Sequence, residues 1–214
     1  MRPLNRRRST LALRHAFSTS RLRWEFGLAL CGVVLIPLLV APAISFGSPP
    51  SPSAQTRDSS PAGFRITSAA FHEGASIPVR FTCKSEDVSP PLAWTAPPHG
   101  TRSLALIVED PDAPGGIWTH WLVFNLPAQV QALSENEPKQ AQLPGGGIQG
   151  RNSFGNIGYG GPCPPAGPAH RYLFRLYALD SMLSLKAGAS RQEVLAAIKG
   201  HVLGHTQLMG RFKR

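Results

Sequence analysis

Four side chains able to do polar chemistry stand at the ends of apolar runs. Asp110 and Asp112 follow the run Leu104–Val108, and His120 opens the run Trp121–Phe124. His170 stands where a long Gly/Pro loop, 158–169, gives way to a third run, Tyr172–Leu179. Two imidazoles supply ring N–H donors for a phosphate or carboxylate. Glycines in the loop, Gly160 and Gly161 among them, permit the close approach through which backbone amides cradle an anion. Ionised aspartates only accept hydrogen bonds and would repel an anion. Their expected work is to orient and charge the histidines, or to receive the cationic end of a zwitterion, with Trp118 as a wall for that cation.

The elements that must position these groups are short strands. Leu104–Val108 and Trp121–Phe124 are too short for helices and rich in branched and aromatic residues, so they read as buried strands. Pro111 and Pro114 lack amide hydrogens and stiffen the turn that holds the two acids. Runs 64–71 and 77–83 are expected to be the first strands, Leu92–Trp94 a short one and Val202–Phe212 the last. Segment 129–142 is expected to be a mobile polar excursion. One helix is convincing: Ser190 and Glu193 form a capping box, Val194, Leu195 and Ile198 share a face, and Gly200 supplies the stop. Many short strands with one or two short helices define a mostly β chain folded as an antiparallel β-sandwich.

The chain order adds a leader. Of the 214 residues, 1–24 hold seven arginines and no acid, and 26–43 are uncharged and apolar. That order reads as an export signal ending near Ala43 or as an uncleaved membrane anchor, so residues 1–43 are expected to contact a membrane. Residues 44–62, rich in Pro and Ser, read as a disordered tether, and 63–214 as the domain. The expected location is exported, periplasmic or extracellular. The net charge of +10 is concentrated in the leader; from Ile44 onward 15 Lys/Arg face 11 Asp/Glu. No basic, aromatic-interleaved stripe remains in the domain, which argues against nucleic acid as a partner.

Together these residues resemble the phosphatidylethanolamine-binding protein (PEBP) family, in its bacterial Raf-kinase-inhibitor-like (YbhB/YbcL) branch. The resemblance rests on Asp110-Pro-Asp-Ala-Pro114, Trp118-x-His120 leading into Trp121-Leu-Val-Phe-Asn125, and Gly-Pro-x-Pro-Pro…His170-Arg-Tyr172. Ser89-Pro-Pro-Leu-Ala-Trp94 and Gly200-His-Val-Leu203 fit as well. It implies two sheets with a Greek-key path and a pocket at one end. It carries ligand-binding roles onto Asp110, Asp112, Trp118, His120, Gly160, Gly161, Pro162, His170 and Tyr172, and leaves Arg171 a structural pairing with an acid. The implied ligand is a small anion or a phospholipid head group of phosphoethanolamine type. The rival is an inhibitor-type regulator that docks a protein partner on the pocket rim, and a homodimer is among the expected assemblies.

Neither catalysis nor a cofactor is expected. Two His and two Asp could hold a cation, but no HxH or HExxH spacing occurs. Ser89 and Ser153 have no adjacent base, and no GxSxG elbow is present. Cys83 and Cys163 are the domain's two cysteines. They read either as separate buried thiols or as a bridge; export and their positions beside pocket-forming loops favour the bridge. A few charge-assisted hydrogen bonds of ~1.5–3 kcal/mol each, less ordering costs, limit a free anion to micromolar or millimolar affinity.

Overall fold

The computed structural model describes residues 63–214. The expectations for the leader and tether lie outside these residues. Among the described residues no helix is long and apolar enough to cross a membrane. Eight strands follow in chain order: β1 (Ile66–Thr67), β2 (Leu92–Trp94), β3 (Ser103–Asp110), β4 (Trp118–Pro127), β5 (Ala132–Leu133), β6 (Ile148–Gln149), β7 (His170–Leu179) and β8 (Val202–Phe212). The helix α1 (Arg191–Ile198) lies between β7 and β8. The strands form a small sheet, β1-β2-β5, and a large one, β6-β4-β3-β7-β8, with every pairing antiparallel.

Why the central strands read as unbroken apolar runs is now plain. In β3, Leu104, Leu106 and Val108 enter the core between the sheets, with Ile66, Trp94, Trp121, Val123, Phe174 and Leu176. The alternate residues Ala105 and Ile107 face a second core, closed by Val194 and Ile198 of α1. Successive strand residues point to opposite faces, so burial on both faces leaves no polar alternation. Trp121 is fully buried, and its indole N–H donates to Gln149 Oε1 at 2.6 Å. The capping box of α1 forms: Ser190 accepts the Glu193 amide, and Glu193 accepts the Ser190 amide.

Three expectations need correction. The strand expected over 64–71 shrinks to Ile66–Thr67, because Ser68 turns the chain by donating to Pro91 O at 2.6 Å and accepting the Ala70 amide. The strand expected over 77–83 does not form; a 3-10 turn, Val79–Phe81, takes its place, with the Phe81 amide donating to Pro78 O and the Val79 carbonyl accepting the Thr82 hydroxyl. Most apolar residues there are buried all the same: Phe64, Ile66, Ile77 and Phe81 line the core, whereas Val79 points to solvent. Segment 129–142 is tied down, not loose. It contains β5, buries Leu133, and is held through Ser89 (Asn136 and Glu137 amides) and Gln149 (Pro138 and Gln140 carbonyls).

Candidate functional site

The site is built where β3 ends, β4 begins and β7 begins. Along β3 and β4, Val108 faces Trp121 but Glu109 faces Thr119, so His120 is the extra residue of a β-bulge. A bulge re-aims a side chain that regular alternation would send elsewhere. His120 is only 2% exposed. Its Nδ1 lies 2.6 Å from Gly160 O, and its own carbonyl accepts the Gly160 amide at 2.9 Å. A carbonyl can only accept, so Nδ1 carries the hydrogen and Nε2 holds the lone pair. Burial pushes the His120 pKa down, against the carbonyl and carboxylates around it that pull it up.

His170 opens β7 and meets Asp110, the last residue of β3: Nδ1 to Oδ2 is 2.8 Å. Both are buried. Asp110 Oδ1 accepts the Asp112 amide at 2.8 Å, the local turn chemistry of Asp before Pro. Here too Nδ1 is engaged and Nε2 is left for another partner. Asp112 is gripped by Arg171, whose amide and Nε donate to Oδ2 at 2.9 Å and whose terminal nitrogen donates to Oδ1 at 2.6 Å. The Arg171 guanidinium holds the Asp112 carboxyl down, to about 2. The structure thus gives Arg171 the acid partner expected for it, but spends Asp112 on it. The cation-receiving role expected of the aspartates is not left open on Asp112.

Tyr172 follows two residues after His170. Its ring meets His120 edge-on at 5.1 Å. The hydroxyl is buried beside the Asp110 carboxylate and makes no hydrogen bond of ordinary geometry among the described residues. Burial, reinforced by the nearby Asp110 carboxylate, drives its pKa up. On the other side of His120 lies Phe154, at 5.5 Å, and against Phe154 lies Trp118, at 5.4 Å.

The glycine loop is spent differently from the expectation. The Gly160 amide is bonded to His120 O, and the Gly161 amide to Asp87 Oδ1 at 2.6 Å. Neither is left to cradle an anion. Glycine is required for packing instead: a Cβ on Gly161 would stand 2.4 Å from Phe81 O, and one on Gly160 would stand 2.7 Å from the Phe154 ring. Pro162 O accepts the Cys83 amide, and Cys83 and Cys163 are joined by a disulfide across Cα atoms 5.4 Å apart. Beside this staple lies a cavity of about 470 Å³ lined by Asp87, Lys139, Phe154, Tyr159 and Gly161, among others.

The structure therefore gathers Asp110, Asp112, His120, His170 and Tyr172 at one end of the large sheet. It sets Trp118 at the rim and gives Gly160, Gly161 and Pro162 supporting roles. Asp87 and Phe154 were missed from sequence. Asp87 acts through partners 52 and 74 residues away, Lys139 and Gly161. No local pattern announces that. Among the described residues no group of three or more His, Cys, Asp or Glu is arranged to hold a metal ion. The hydroxyls of Ser89 and Ser153 accept the Glu137 and Thr119 amides.

The two-sheet antiparallel fold, with an acid–histidine pair at one end of the large sheet, has relatives among known proteins. The chain belongs to the phosphatidylethanolamine-binding protein family, whose model matches residues 67–213. A UPF0098 protein of Methanothermobacter thermautotrophicus is 52% identical over 145 residues, covering 68% of this chain and 95% of that protein. A Mycobacterium tuberculosis protein named as a lipoprotein, LppC, is 43% identical over 149 residues, covering 69% of this chain and 71% of its own. The crystal structure of Escherichia coli YbcL, described as a new member of the mammalian PEBP family, superposes with a TM-score of 0.67 at 33% identity. It covers 71% of this chain and 99% of YbcL.

Proposed function

We propose that this chain is a non-catalytic, exported binding protein whose Asp110–His170, His120 and Tyr172 cluster takes a small phosphate-type anion, foremost a phospholipid head group of phosphoethanolamine type. One observation carries the reading. Both imidazoles have Nδ1 tied to an acceptor, one to Gly160 O and one to Asp110, so each has Nε2 to offer a ligand. The buried Tyr172 hydroxyl beside them is a further donor. Export is supported by the disulfide, which suits an oxidising compartment, by the basic-then-apolar leader, and by the relative named as a lipoprotein. The rival, a regulator docking a protein over the rim, draws on the exposed Trp118 and Phe154.

The sign of the pH dependence follows from the tautomers. A neutral imidazole with Nδ1–H presents an acceptor at Nε2; only the protonated ring presents a charged donor. Anion affinity therefore rises as pH falls and is lost as pH rises. Because burial lowers the His120 pKa, its share appears only below the ordinary 6.5. A charge-assisted hydrogen bond of ~1.5–3 kcal/mol corresponds to roughly 10- to 150-fold in affinity at full protonation. Calorimetric titration with phosphoethanolamine at pH 5.5 and 8 is the test. Tighter binding at pH 5.5 supports the reading; equal affinities remove the histidines from it, and no binding at either pH overturns it.

A further inference from the structure

The two imidazoles of the cluster hang on different supports. His170 is held directly by a carboxylate, Asp110 Oδ2, at 2.8 Å. His120 is held by a backbone carbonyl, Gly160 O, at 2.6 Å. That carbonyl is one half of a planar peptide unit whose other half is the Gly161 N–H. The Gly161 N–H donates to Asp87 Oδ1, also at 2.6 Å. One rigid peptide plane therefore joins the Asp87 carboxylate to the His120 ring. Hydrogen bonds in series polarise one another, so an anion drawing on the N–H makes the carbonyl at the far side a stronger acceptor. The frame is fastened. The Cys83–Cys163 bridge and the Cys83 amide on Pro162 O tie the segment that carries Asp87 to the loop that carries the peptide. Lys139 ends the series from outside, pairing with Asp87 Oδ2 at 2.9 Å.

We infer that Asp87 is a positioning residue of the anion site, acting on His120 through the Gly160–Gly161 peptide as Asp110 acts directly on His170. The inference rests on the anion reading above and adds a residue from outside the cluster. The peptide plane sets the ring with Nδ1–H inward and leaves Nε2 for the ligand, and the carboxylate behind it favours the charged imidazolium. The titratable and charged groups that face His120 are Asp110 from β3, Tyr172 from β7 and Asp87, with Lys139 beyond Asp87. Burial pushes the His120 pKa down, while Asp110 and Asp87 both pull it up. The sign then differs at the two ends of the series. Removing the Asp87 charge lowers the His120 pKa further. Removing the Lys139 charge, which offsets that carboxylate, raises it. A role confined to folding would loosen the site in both variants alike.

Asp87→Asn and Lys139→Gln in the full chain test the two ends. Asp87 has a φ of 56°; asparagine tolerates that left-handed backbone and can still accept the Gly161 N–H. Long-range proton–nitrogen spectra of the isotope-labelled protein in maltoside micelles follow the His120 ring from pH 8 to 5, its signals assigned by their loss in His120→Asn. The carboxylate acts across one peptide and is partly neutralised by Lys139, so Asp87→Asn should move the His120 midpoint down by about 0.5 pH, and Lys139→Gln should move it up. A fall of that size cuts the protonated fraction roughly 3-fold above the midpoint. Calorimetric affinity for phosphoethanolamine at pH 6 should fall in Asp87→Asn and rise in Lys139→Gln. Unmoved midpoints, midpoints that move in the same direction, or a His120 that stays neutral throughout in all three chains overturns the inference. Opposite midpoint shifts that phosphoethanolamine affinity does not follow support the Asp87 link while sinking the anion reading of His120.

Discussion

Tyr172→Phe is the sharpest perturbation available. The hydroxyl is shielded from solvent and, among the described residues, makes no hydrogen bond of ordinary geometry, with the Asp110 carboxylate as the acceptor beside it, while the ring packs edge-on against His120. A buried polar group without a partner costs about 1–3 kcal/mol. Removing only the oxygen relieves that cost and keeps the ring, so Tyr172→Phe should stabilise the domain by about 1 kcal/mol or more. For a domain of this size each kcal/mol raises Tm by about 2–4 °C. The same substitution should weaken phosphoethanolamine binding by roughly 2- to 10-fold, the worth of one neutral hydrogen bond. Thermal unfolding and calorimetry on the same preparation read both numbers. A variant less stable than the parent by 1 kcal/mol would refute the reasoning. It would mean that the hydroxyl donates within the protein, with the Asp110 carboxylate as acceptor. A variant that is stabilised and binds equally well would remove Tyr172 from the ligand's contacts.

Other perturbations test the supports of the site. Reducing the Cys83–Cys163 bridge opens a loop of 80 residues; in the chain-entropy model that costs about 4.5 kcal/mol, read as a fall in Tm with reductant. Glu109 is 2% exposed between Arg175 and Arg191, so Glu109→Gln should cost about 3 kcal/mol by urea unfolding, the low end for a broken buried pair, because both arginines keep some water. The Asp112 carboxyl, held down to about 2 by Arg171, contributes stability above the unfolded value of ~3.9 that is lost as pH falls through 2. Both partners are partly exposed, so screening reduces that contribution to about 1 kcal/mol, and Asp112→Asn should flatten acid unfolding by that amount.

Much of the fold was legible because the chain states it locally. The β3, β4 and β7 runs are apolar on both faces, and only strands sandwiched between two cores need that. The α1 start was written in Ser190 and Glu193. The 3-10 turn at Val79–Phe81 was not legible, because Ile77, Val79 and Phe81 alternate as a strand would, and the hydrogen bonds that override the pattern run through Pro78 and Thr82. At the site, residue types announced the acids and histidines, but not their pairings. That Asp112 belongs to Arg171 and Asp110 to His170 depends on the β3–β7 register. The bulge at His120 leaves no trace in composition. The Gly160 and Gly161 amides looked free only because their acceptors, His120 and Asp87, are remote in sequence.

The covalent link between Cys83 and Cys163 also decides what a protease can achieve. Every peptide bond from 83 to 163 lies inside a closed ring that includes Asp110, Asp112 and His120. A single cut in the exposed tip at 114–117 or in the segment 134–136 would leave two fragments migrating as one species until reductant is added. In an environment rich in proteases, a nicked molecule would keep its acids and histidines on one particle, and one nick would not release either half.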